Sequence, residues 1–310
     1  MPKFESDRLL TSGVSKTDAA VFRVNGDMLG VYTVDVFAPI VDDPEDFGRI
    51  AFANCVSDVC AMGGRPVIAL NVCLFPPKAP VEKLALILKG AGEAALENGV
   101  VVGGGHTTKV DELQYGLFVY GQMNRNQLRL ATNARPGDHI ILTKPIGTGI
   151  LFAAKDHEDV GDSWEVAIES MKLTSIAASE ILHQFNCDCC TDVTGFGLVP
   201  HLLEVLEESN VACEILTKKI PLFQNVEELS KKYICPVLMS NMELAKEKFD
   251  PDRTEPHWTN ICFDAQTSGG LLAFINENQV EECVLRLREA GYTASDIGVV
   301  MAGEPRVTLK

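Results

Sequence analysis

Four aspartates in apolar or glycine-rich surroundings are the residues of this sequence whose types could do chemistry. They belong to the segments KTDAAVF, YTVDVF, NCVSDV and CTDVTGFG, and are Asp18, Asp35, Asp58 and Asp192. A carboxylate inside an apolar strand or helix costs several kcal/mol unless a cation or hydrogen bonds compensate it. Each aspartate alone could equally be a turn or cap residue. Four together indicate a site for a hard divalent ion such as Mg²⁺, which prefers oxygen ligands.

One of these carboxylates shares a helix with an amide. In DFGRIAFANCVSDVCAMGG, residues 46 to 64, Asn54 and Asp58 are four positions apart. On a helix this spacing puts both side chains on one face, within a segment that is otherwise apolar. The glycines at 63 and 64 are a plausible helix stop. We therefore predict that Asn54 and Asp58 form the polar edge of a buried helix.

Glycine-rich segments are the second chemical signal. GGGHT (103–107) follows an apolar strand, QTSGG (266–270) precedes one, and TKPIGTG (143–149) has the same character. A glycine loop at the end of a strand lets backbone N–H groups approach a phosphate. The spacing matches neither standard nucleotide fingerprint, so tight turns explain these segments as well. Together with the aspartates, they point to nucleoside triphosphate chemistry.

The elements that must position these residues alternate between strand and helix, which predicts an α/β fold. The segment at 133–149 is typical of a boundary, so we expect an N-terminal domain over 1–135 and a C-terminal α/β domain over 136–310. In the first domain the patterns predict strands at 29–36, 66–75, 100–104 and 117–123, and helices at 46–62 and 81–99. In the second they predict strands near 139–144, 211–216, 271–275 and 294–303, and helices at 163–186, 198–209 and 277–291.

Composition limits the classes of function. The chain has 310 residues, 46% of them hydrophobic, and a formal net charge of −16. The acidic balance argues against nucleic-acid binding. No apolar run is long enough to span a membrane. The N-terminal MPKFESDRLL lacks the pattern of a secretory signal, so we expect a cytoplasmic protein.

The cysteines do not predict a metal framework. Ten are present, without a pair of C-x-x-C motifs, and the one cluster is CDCC, with Cys187, Cys189 and Cys190. We expect most of them to be small buried side chains with reduced thiols rather than zinc ligands or redox groups.

The run DDPEDFGRIAFANCVSDVCAMGGRPVIALN (42–71) closely resembles the signature of the selenophosphate synthetases, also called selenide, water dikinases. The resemblance continues through KTDAAVF, TVDVFAPIVDDP, GGGHT, LTKPIGTGI, TDVTGFGL and DAQTSGGLL, in order and over nearly the whole chain. Aminoimidazole ribonucleotide synthetase, thiamine monophosphate kinase and the hydrogenase maturation dehydratase are more distant members of the same superfamily.

This resemblance implies a two-domain enzyme that converts selenide, ATP and water to selenophosphate, AMP and orthophosphate. It implies a homodimer in which the N-terminal sheets of two subunits close into a barrel, with ATP near the interface. Carried onto this sequence, it makes Asp18, Asp58 and Asp192 the Mg²⁺ ligands and places Asp35 beside the phosphates. It puts Asn54 next to Asp58 at the phosphates. The further ATP contacts that it implies are Ser15, Lys16 and Thr17 in one segment and Gly105, His106 and Thr107 in a loop that crosses the dimer.

The sequence departs from the family before Asp18. Family members carry there a glycine-rich segment with Cys or Sec and, three residues on, Lys. Seventeen residues precede Asp18, and none is Cys. We therefore assign no catalytic residue and expect this chain to bind Mg-ATP with little or no selenophosphate synthesis. A smaller departure is Ala265, where the family commonly has Pro.

Several explanations of the first departure stay open. The chain could be a trimmed form of the enzyme, or a natural homologue that lost the nucleophile and acts as an ATP-binding regulatory protein. Another thiol, Cys55, Cys60 or one of the CDCC cluster, could substitute. A third function class is a small-molecule kinase with another phosphoryl acceptor. The selenium donor, the number of metal ions and a requirement for K⁺ are not readable from the sequence.

Overall fold

A computed structural model describes residues 6–11, 16–249 and 254–310. It confirms a two-domain α/β fold with a mixed sheet in each part. One compact unit comprises Met1–Leu128 and Met171–Ser179, and the other Arg129–Ser170 and Glu180–Lys310. Residues 171–179, which we expected in the C-terminal domain, thus cluster with the first unit. Within the described ranges, no helix combines the length and apolar character needed to cross a membrane.

The first unit is built on a five-stranded sheet with two long helices. Its strand order is β1-β2-β5-β3-β4, antiparallel throughout except for the parallel pair β3 and β4. The strands are β1 (Ala20–Asn25), β2 (Met28–Phe37), β3 (Arg65–Phe75), β4 (Val101–Lys109) and β5 (Gln114–Asn124). The helices are α1 (Pro44–Ala61) and α2 (Val81–Glu97), and both were predicted from their sequence patterns.

Helix α1 has a well-defined start and end. The Asp43 side chain accepts hydrogen bonds from the backbone N–H groups of Glu45 and Asp46 at 2.8 and 2.9 Å, and Pro44 occupies the first turn. This is a favourable N-terminus, since the cap satisfies donors that have no partner inside the helix. The helix ends at Met62, and Gly63 follows with φ +85°. Nearly every residue from Phe47 to Ala61 is buried, so α1 is a core helix of this unit.

Two glycines allow α1 and α2 to cross at backbone contact. A Cβ on Gly48 would lie 2.1 Å from the carbonyl oxygen of Ile87, and one on Gly90 would lie 2.0 Å from that of Glu45. No side chain fits at either position without separating the helices. The crossing therefore fixes the N-terminal part of α1 against α2.

The structure corrects the prediction for GGGHT. We expected a loop after a strand ending at residue 104, but β4 continues to Lys109 along β3. Gly104 and Gly105 have φ angles of +126° and +153°, and the register with β3 shifts between Ala69 and Asn71. The glycines therefore allow an irregular backbone inside an edge strand, and the parallel pairing resumes beyond them.

The second unit is built on a six-stranded mixed sheet in the order β11-β8-β10-β6-β9-β7. Its strands are β6 (Asp138–Leu142), β7 (Cys190–Asp192), β8 (Ala212–Ile215), β9 (Leu271–Asn276), β10 (Ser295–Met301) and β11 (Val307–Leu309). Among the described residues, the other helices are α3 (Thr148–Ala154), α4 (Ser163–Lys172), α5 (Ile176–Gln184), α6 (Leu198–Ser209), α7 (Val226–Leu229), α8 (Leu238–Ala245), α9 (Pro256–Cys262) and α10 (Val280–Glu289).

The prediction of one long helix over 163–186 was wrong. The chain forms α4 and α5, with residues 173–175 between them. The Thr174 hydroxyl donates to the side-chain oxygen of Asn98 at 3.0 Å, and the carbonyl of Ser175 accepts from the N–H of Ser179 in the first turn of α5. Thr and Ser side chains readily leave helical positions for such local and tertiary hydrogen bonds.

Candidate nucleotide site

The structure brings Asp35 and Asn54 together. Asp35 lies on β2, and the alternation of the strand puts its side chain on the same face as that of Val31, which is fully buried. Asn54 Nδ2 on α1 donates to Asp35 Oδ2 at 3.1 Å. Asn54 is 8% exposed, so this amide and carboxylate meet at the edge of the α1–sheet interface. The predicted polar edge of α1 is thus present in the fold.

Asp58 has a partner that the sequence analysis missed. The hydroxyl of Thr33 on β2 donates to Asp58 Oδ2 at 2.5 Å. Thr33 is two residues before Asp35 and therefore faces α1, which is the signal that could have identified it. Asp58 lies in the last turn of α1, where no basic residue is present. A carboxylate at a helix C-terminus is disfavoured by the helix dipole, so this position favours a bound cation.

The thiol of Cys55 also lies beside these aspartates, and it is neutral. Cys55 Sγ donates to the backbone oxygen of Asp35 at 3.4 Å and accepts from the N–H of Leu117 at 3.3 Å. Burial, followed by the charge of Asp35, raises the pKa of the Cys55 thiol far above its ordinary value. A protonated thiol does not ligate metals. The donor set is therefore carboxylate and amide oxygen, which fits Mg²⁺.

The segment before β1 reaches the C-terminal end of the same helix. The Thr17 hydroxyl lies 3.5 Å from Met62 Sδ, at the residue that ends α1 one turn after Asp58. The same hydroxyl lies within hydrogen-bond distance, 3.1 Å, of the backbone oxygen of Ala19. Lys16 and Asp18 flank Thr17 and are half-buried, while Ser15 lies outside the described residues.

Gly105 lies on the same transverse row of the sheet as Asp35, at the far edge. The register aligns Asp35 of β2 with Leu117 of β5, Leu117 with Asn71 of β3, and Asn71 with Gly105 of β4. Three strand spacings separate the ends of this row by roughly 14 Å. The structure therefore does not bring Gly105 to the Asp35–Asn54 pair within one subunit.

His106 and Thr107 lie on opposite faces of β4. Thr107 is aligned with Cys73, which is 2% exposed and faces the core, and its hydroxyl contacts that thiol. His106 is aligned with Val72 in the neighbouring row, so its side chain is on the outer face of the sheet. Both residues are exposed at this edge strand. His106 thus points away from the face that carries Asp35.

A hydrogen-bond chain holds the backbone at Gly105. The Tyr115 hydroxyl donates to Asn71 Oδ1 at 2.6 Å, and Asn71 Nδ2 donates to the carbonyl of Gly104 at 3.2 Å. A Cβ on Gly105 would lie 2.2 Å from the carbonyl oxygen of Asn71. Asn71 and Tyr115 were not singled out in the sequence, because a polar residue in an apolar strand shows its partner only when the strands are paired.

Asp192 lies in the second unit, as the last residue of β7, and is 2% exposed. It is aligned with Leu271 of β9. Within residues 6–11, 16–249 and 254–310, no three His, Cys, Asp or Glu side chains form a metal-ligating group. The assignment of Asp18, Asp58 and Asp192 as Mg²⁺ ligands stays a prediction.

The two glycine segments of the second unit pack against each other. Gln266 Oε1 accepts hydrogen bonds from the backbone N–H groups of Gly147 and Thr148 at 2.9 and 3.2 Å. Lys144 Nζ donates to the carbonyl of Ser268 at 2.8 Å. These contacts are buried, so the N–H groups at the start of α3 bond to the protein, and the interpretation as structural turns is favoured for both segments.

All ten cysteines are buried, where the sequence predicted burial for most of them, and none of them forms a disulfide.

Comparison with known families matches both parts of the chain. The AIR synthase related protein N-terminal domain matches residues 16–123, and the AIR synthase related protein C-terminal domain matches residues 135–310. Among solved structures, thiamine-monophosphate kinase from Stenotrophomonas maltophilia is similar with a TM-score of 0.73, at 19% identity, over 99% of this chain and 92% of that one. Hydrogenase maturation protein HypE in complex with ATP is similar with a TM-score of 0.71, at 19% identity, over 98% and 87%. At this identity the likeness shows a shared fold.

Curated relatives are more similar in sequence. A selenide, water dikinase of Caldanaerobacter subterraneus is 40% identical over 92% of this chain and 83% of that protein. Selenide, water dikinase 2 of Peptoclostridium acidaminophilum is 37% identical over 99% and 89%. The selenide, water dikinase of Clostridioides difficile is 37% identical over 100% and 90%. Identity of this extent, on the AIR synthase related fold, shows that the chain belongs to the selenide, water dikinase family.

Proposed function

We propose that this protein makes selenophosphate from selenide, ATP and water and releases AMP and orthophosphate. The observation that carries the proposal is the match to selenide, water dikinases at 37–40% identity over 92% or more of the chain. The arrangement around α1 supports ATP as the phosphoryl donor, because it gathers oxygen ligands where a helix end favours a cation.

Within this proposal, Asp18 and Asp58 are Mg²⁺ ligands, and Asp192 is a third ligand on the resemblance of TDVTGFGL alone. Mg²⁺ bound to these carboxylates would neutralise phosphate charge, including the charge that develops as a phosphoryl group leaves. Thr33 and Asn54 act as positioning residues. Each donates to one carboxylate oxygen, of Asp58 and Asp35 respectively, and fixes its orientation.

Two segments are proposed to contact the nucleotide. Ser15, Lys16 and Thr17 would contact ATP ahead of Asp18, and the position of Thr17 beside the end of α1 supports this. Gly105, His106 and Thr107 would contact the nucleotide of a partner subunit. The separation of Gly105 from Asp35 along the sheet row, and the outward side chain of His106, support a contact across a dimer.

The outer face of the first sheet supports a second copy of the chain as partner. Val34, Phe118 and Leu70 lie in one row across β2, β5 and β3, and Val34 and Leu70 are 56% and 38% exposed. Tyr32 and Tyr120 pack in the next row with ring centroids 5.0 Å apart. A contiguous exposed apolar face of this kind marks an interaction surface. We propose residues 1–135 as the ATP-binding and dimerisation domain of a cytoplasmic homodimer, and 136–310 as its C-terminal domain.

The test is a ³¹P NMR assay of the purified chain with Mg-ATP under anaerobic conditions, with and without selenide. A selenophosphate resonance that appears together with AMP and orthophosphate, and only when selenide is present, supports the proposed reaction. From the departure before Asp18 we expect this resonance to be weak, and a strong one would overturn that expectation. Turnover of ATP that is independent of selenide would instead indicate a kinase with another acceptor. Binding of ATP without any turnover would favour an ATP-binding homologue.

A further inference from the structure

The turn TGFG, residues 194–197, joins β7 to α6 in the second unit. The carbonyl of Thr194 accepts a hydrogen bond from the N–H of Gln266 at 3.1 Å, and the carbonyl of Gly195 accepts one from Asn241 Nδ2 at 3.0 Å. Gly195 at the tip is exposed. The turn is therefore an exposed tip whose backbone is fixed by bonds to the rest of the unit, which is the usual setting of binding residues.

A buried histidine on α6 holds the N–H at the start of this turn. Nε2 of His201 lies 3.2 Å from the backbone nitrogen of Thr194, and Nδ1 lies 3.1 Å from Oε2 of Glu204. The histidine is 5% exposed, and its ring packs against that of Phe196 with centroids 5.7 Å apart. His201 therefore joins the turn to a carboxylate that lies one helical turn further along α6.

The two hydrogen bonds of His201 define its tautomer. A backbone N–H can only donate, so Nε2 must be the nitrogen without a proton. In the neutral imidazole the proton is then on Nδ1, and Glu204 accepts it. The Thr194 hydroxyl, 3.3 Å from Nε2, can donate to the same nitrogen. One ring nitrogen thus binds the turn, while the other is held by the carboxylate that selects this tautomer.

The bond to His201 lies two residues after Asp192, which is 2% exposed at the end of β7. The residue between them is also fixed, because the N–H of Val193 donates to the carbonyl of Gly270 at 2.9 Å. The N–H of Thr194 belongs to the peptide that follows Val193, so rotation of that peptide would redirect the chain next to Asp192. The bond to His201 therefore restricts the backbone that carries the Asp192 carboxylate.

We propose that His201 is a positioning residue for Mg²⁺, which holds the carboxylate of Asp192 in the direction of the ion through the N–H of Thr194. This inference rests on the proposed function, in which Asp192 is a Mg²⁺ ligand. His201 itself ligates nothing, because its two ring nitrogens bond to Thr194 and Glu204. Residues that orient a metal ligand typically contribute about ten- to hundredfold in metal affinity.

The test compares two amides that reproduce different nitrogens of the ring. In His201→Gln the side-chain oxygen reaches the place of Nε2 and can accept the N–H of Thr194. In His201→Asn the amide ends near the place of Nδ1 and cannot reach that N–H. Isothermal titration with ATP at a series of Mg²⁺ concentrations gives the Mg²⁺ concentration for half-maximal ATP binding. We expect this concentration to rise about tenfold in His201→Asn and less than about threefold in His201→Gln.

Urea unfolding of the same variants separates positioning from stability. Both amides remove the ring that packs against Phe196, so a purely structural role would affect the Mg²⁺ requirement of both variants alike. His139→Leu is the control, because His139 lies in the same unit with its Nδ1 3.1 Å from Asp296, and this variant should keep the wild-type Mg²⁺ requirement. In ¹H–¹⁵N correlation spectra of the wild-type imidazoles, His201 should show its proton on Nδ1.

Equal Mg²⁺ requirements in the two amide variants would overturn the proposal, and so would a His201 with its proton on Nε2 in the wild-type chain. A wild-type chain that binds no Mg-ATP would overturn it as well. The expected difference between the variants, found in a chain that shows no selenide-dependent turnover, would support the role of His201 and count against the proposed reaction alone.

Discussion

Asn54 on α1 donates through Nδ2 to Asp35 Oδ2 on β2 at 3.1 Å, and this bond joins the helix that carries Asp58 to the strand that carries Thr33. The polar side chains of α1 and of β2 are therefore held next to each other. Because Asn54 Nδ2 donates to Oδ2 of Asp35, we expect the orientation of this carboxylate to depend on the amide.

Replacement of Asn54 by Leu keeps the side-chain volume and removes the bond to Asp35. We expect Mg-ATP to bind roughly tenfold more weakly, which corresponds to about 1.4 kcal/mol. The matched control is Ser57→Ala on the same helix, because the Ser57 hydroxyl is buried and has no hydrogen-bond partner among the described residues. Isothermal titration of both variants checks this, and equal affinities would contradict the assigned role of Asn54.

Replacement of Asp58 by Asn removes one proposed Mg²⁺ ligand and retains a hydrogen-bond acceptor for Thr33. The wild-type chain is expected to bind ATP with Mg²⁺ and to lose most of this affinity in EDTA, because the phosphates then face uncompensated carboxylates. Asp58→Asn should weaken binding in Mg²⁺ by about tenfold or more and reduce the difference between the two conditions. Asp27→Asn, at an exposed turn, is the control. Undiminished binding in EDTA would argue against a metal-dependent site.

The apolar row of Val34, Phe118 and Leu70 on the outer face of the first sheet predicts a dimer. A charged side chain introduced into this row should weaken the dimer. Val34→Lys is expected to shift the chain from dimer to monomer, because a lysine ammonium at the centre of the face must be desolvated on association. Val166→Lys on α4 replaces a valine of similar exposure, 55%, and should leave the protein a dimer. Sedimentation equilibrium distinguishes the two, and a wild-type monomer at all concentrations would rule out the proposed dimer.

Two glycines of α2 should respond in opposite directions to the same substitution. Gly90→Ala places a methyl group against the carbonyl of Glu45, so we expect a loss of roughly 2 kcal/mol in the free energy of unfolding. Gly92→Ala meets open space and should gain up to about 1 kcal/mol from helix propensity. Urea unfolding measures both. Similar effects of the two substitutions would mean that the α1–α2 crossing is looser than described.

Asp264 predicts a pH dependence of stability. Burial raises its pKa from 3.8 to about 7, while Oδ2 accepts bonds from the N–H of Gly149 and from Gln266. Between these pH values the folded chain binds more protons than the unfolded chain, so the free energy of unfolding falls as pH rises from about 4 to about 7. The loss is expected to be a few kcal/mol.

Asp264→Asn should flatten this dependence, since the amide oxygen can accept both bonds and its NH₂ group replaces a protonated oxygen. Urea unfolding of both proteins at matched pH values below and above 7 makes the comparison. An equally steep fall in the variant would assign the pH dependence to other groups.

The pattern of apolar residues was sufficient to predict those helices and strands whose ends are marked in the local sequence. Helices α1 and α2 and strands β3 and β9 have apolar patterns with clear end signals, and they were predicted within a few residues. The GGGHT segment was misread because glycine signals a turn locally, whereas pairing with β3 extends it as a strand. The break between α4 and α5 depends on a partner for Thr174 that is distant in sequence.

Part of the candidate site was also predictable from local sequence, because some of its polar residues interrupt apolar elements. Asp35, Asn54 and Asp58 are visible because each is polar in an apolar element. The fold joins Asn54 to Asp35 by one hydrogen bond and Thr33 to Asp58 by another. The two-residue spacing of Thr33 from Asp35 indicates that both face α1, but the bond from Thr33 to Asp58 is evident only once β2 packs on α1. The distance of Gly105 from Asp35 follows from strand order, which no local pattern encodes.

The glycine crossing of α1 and α2 has a mechanical consequence for the site. Helix α1 contacts α2 at Gly48, and Asp58 lies about 15 Å further along the helix axis, so a tilt of α1 about this contact moves Asp58. A tilt of about 5° at Gly48 would move Asp58 by roughly 1 Å, while Asn54, nearer Gly48, would move less. Misplacement by about 1 Å can cost a hundredfold in rate. We therefore expect that a bulky residue at Gly48 leaves the protein folded but shifts the carboxylate of Asp58 relative to that of Asp35.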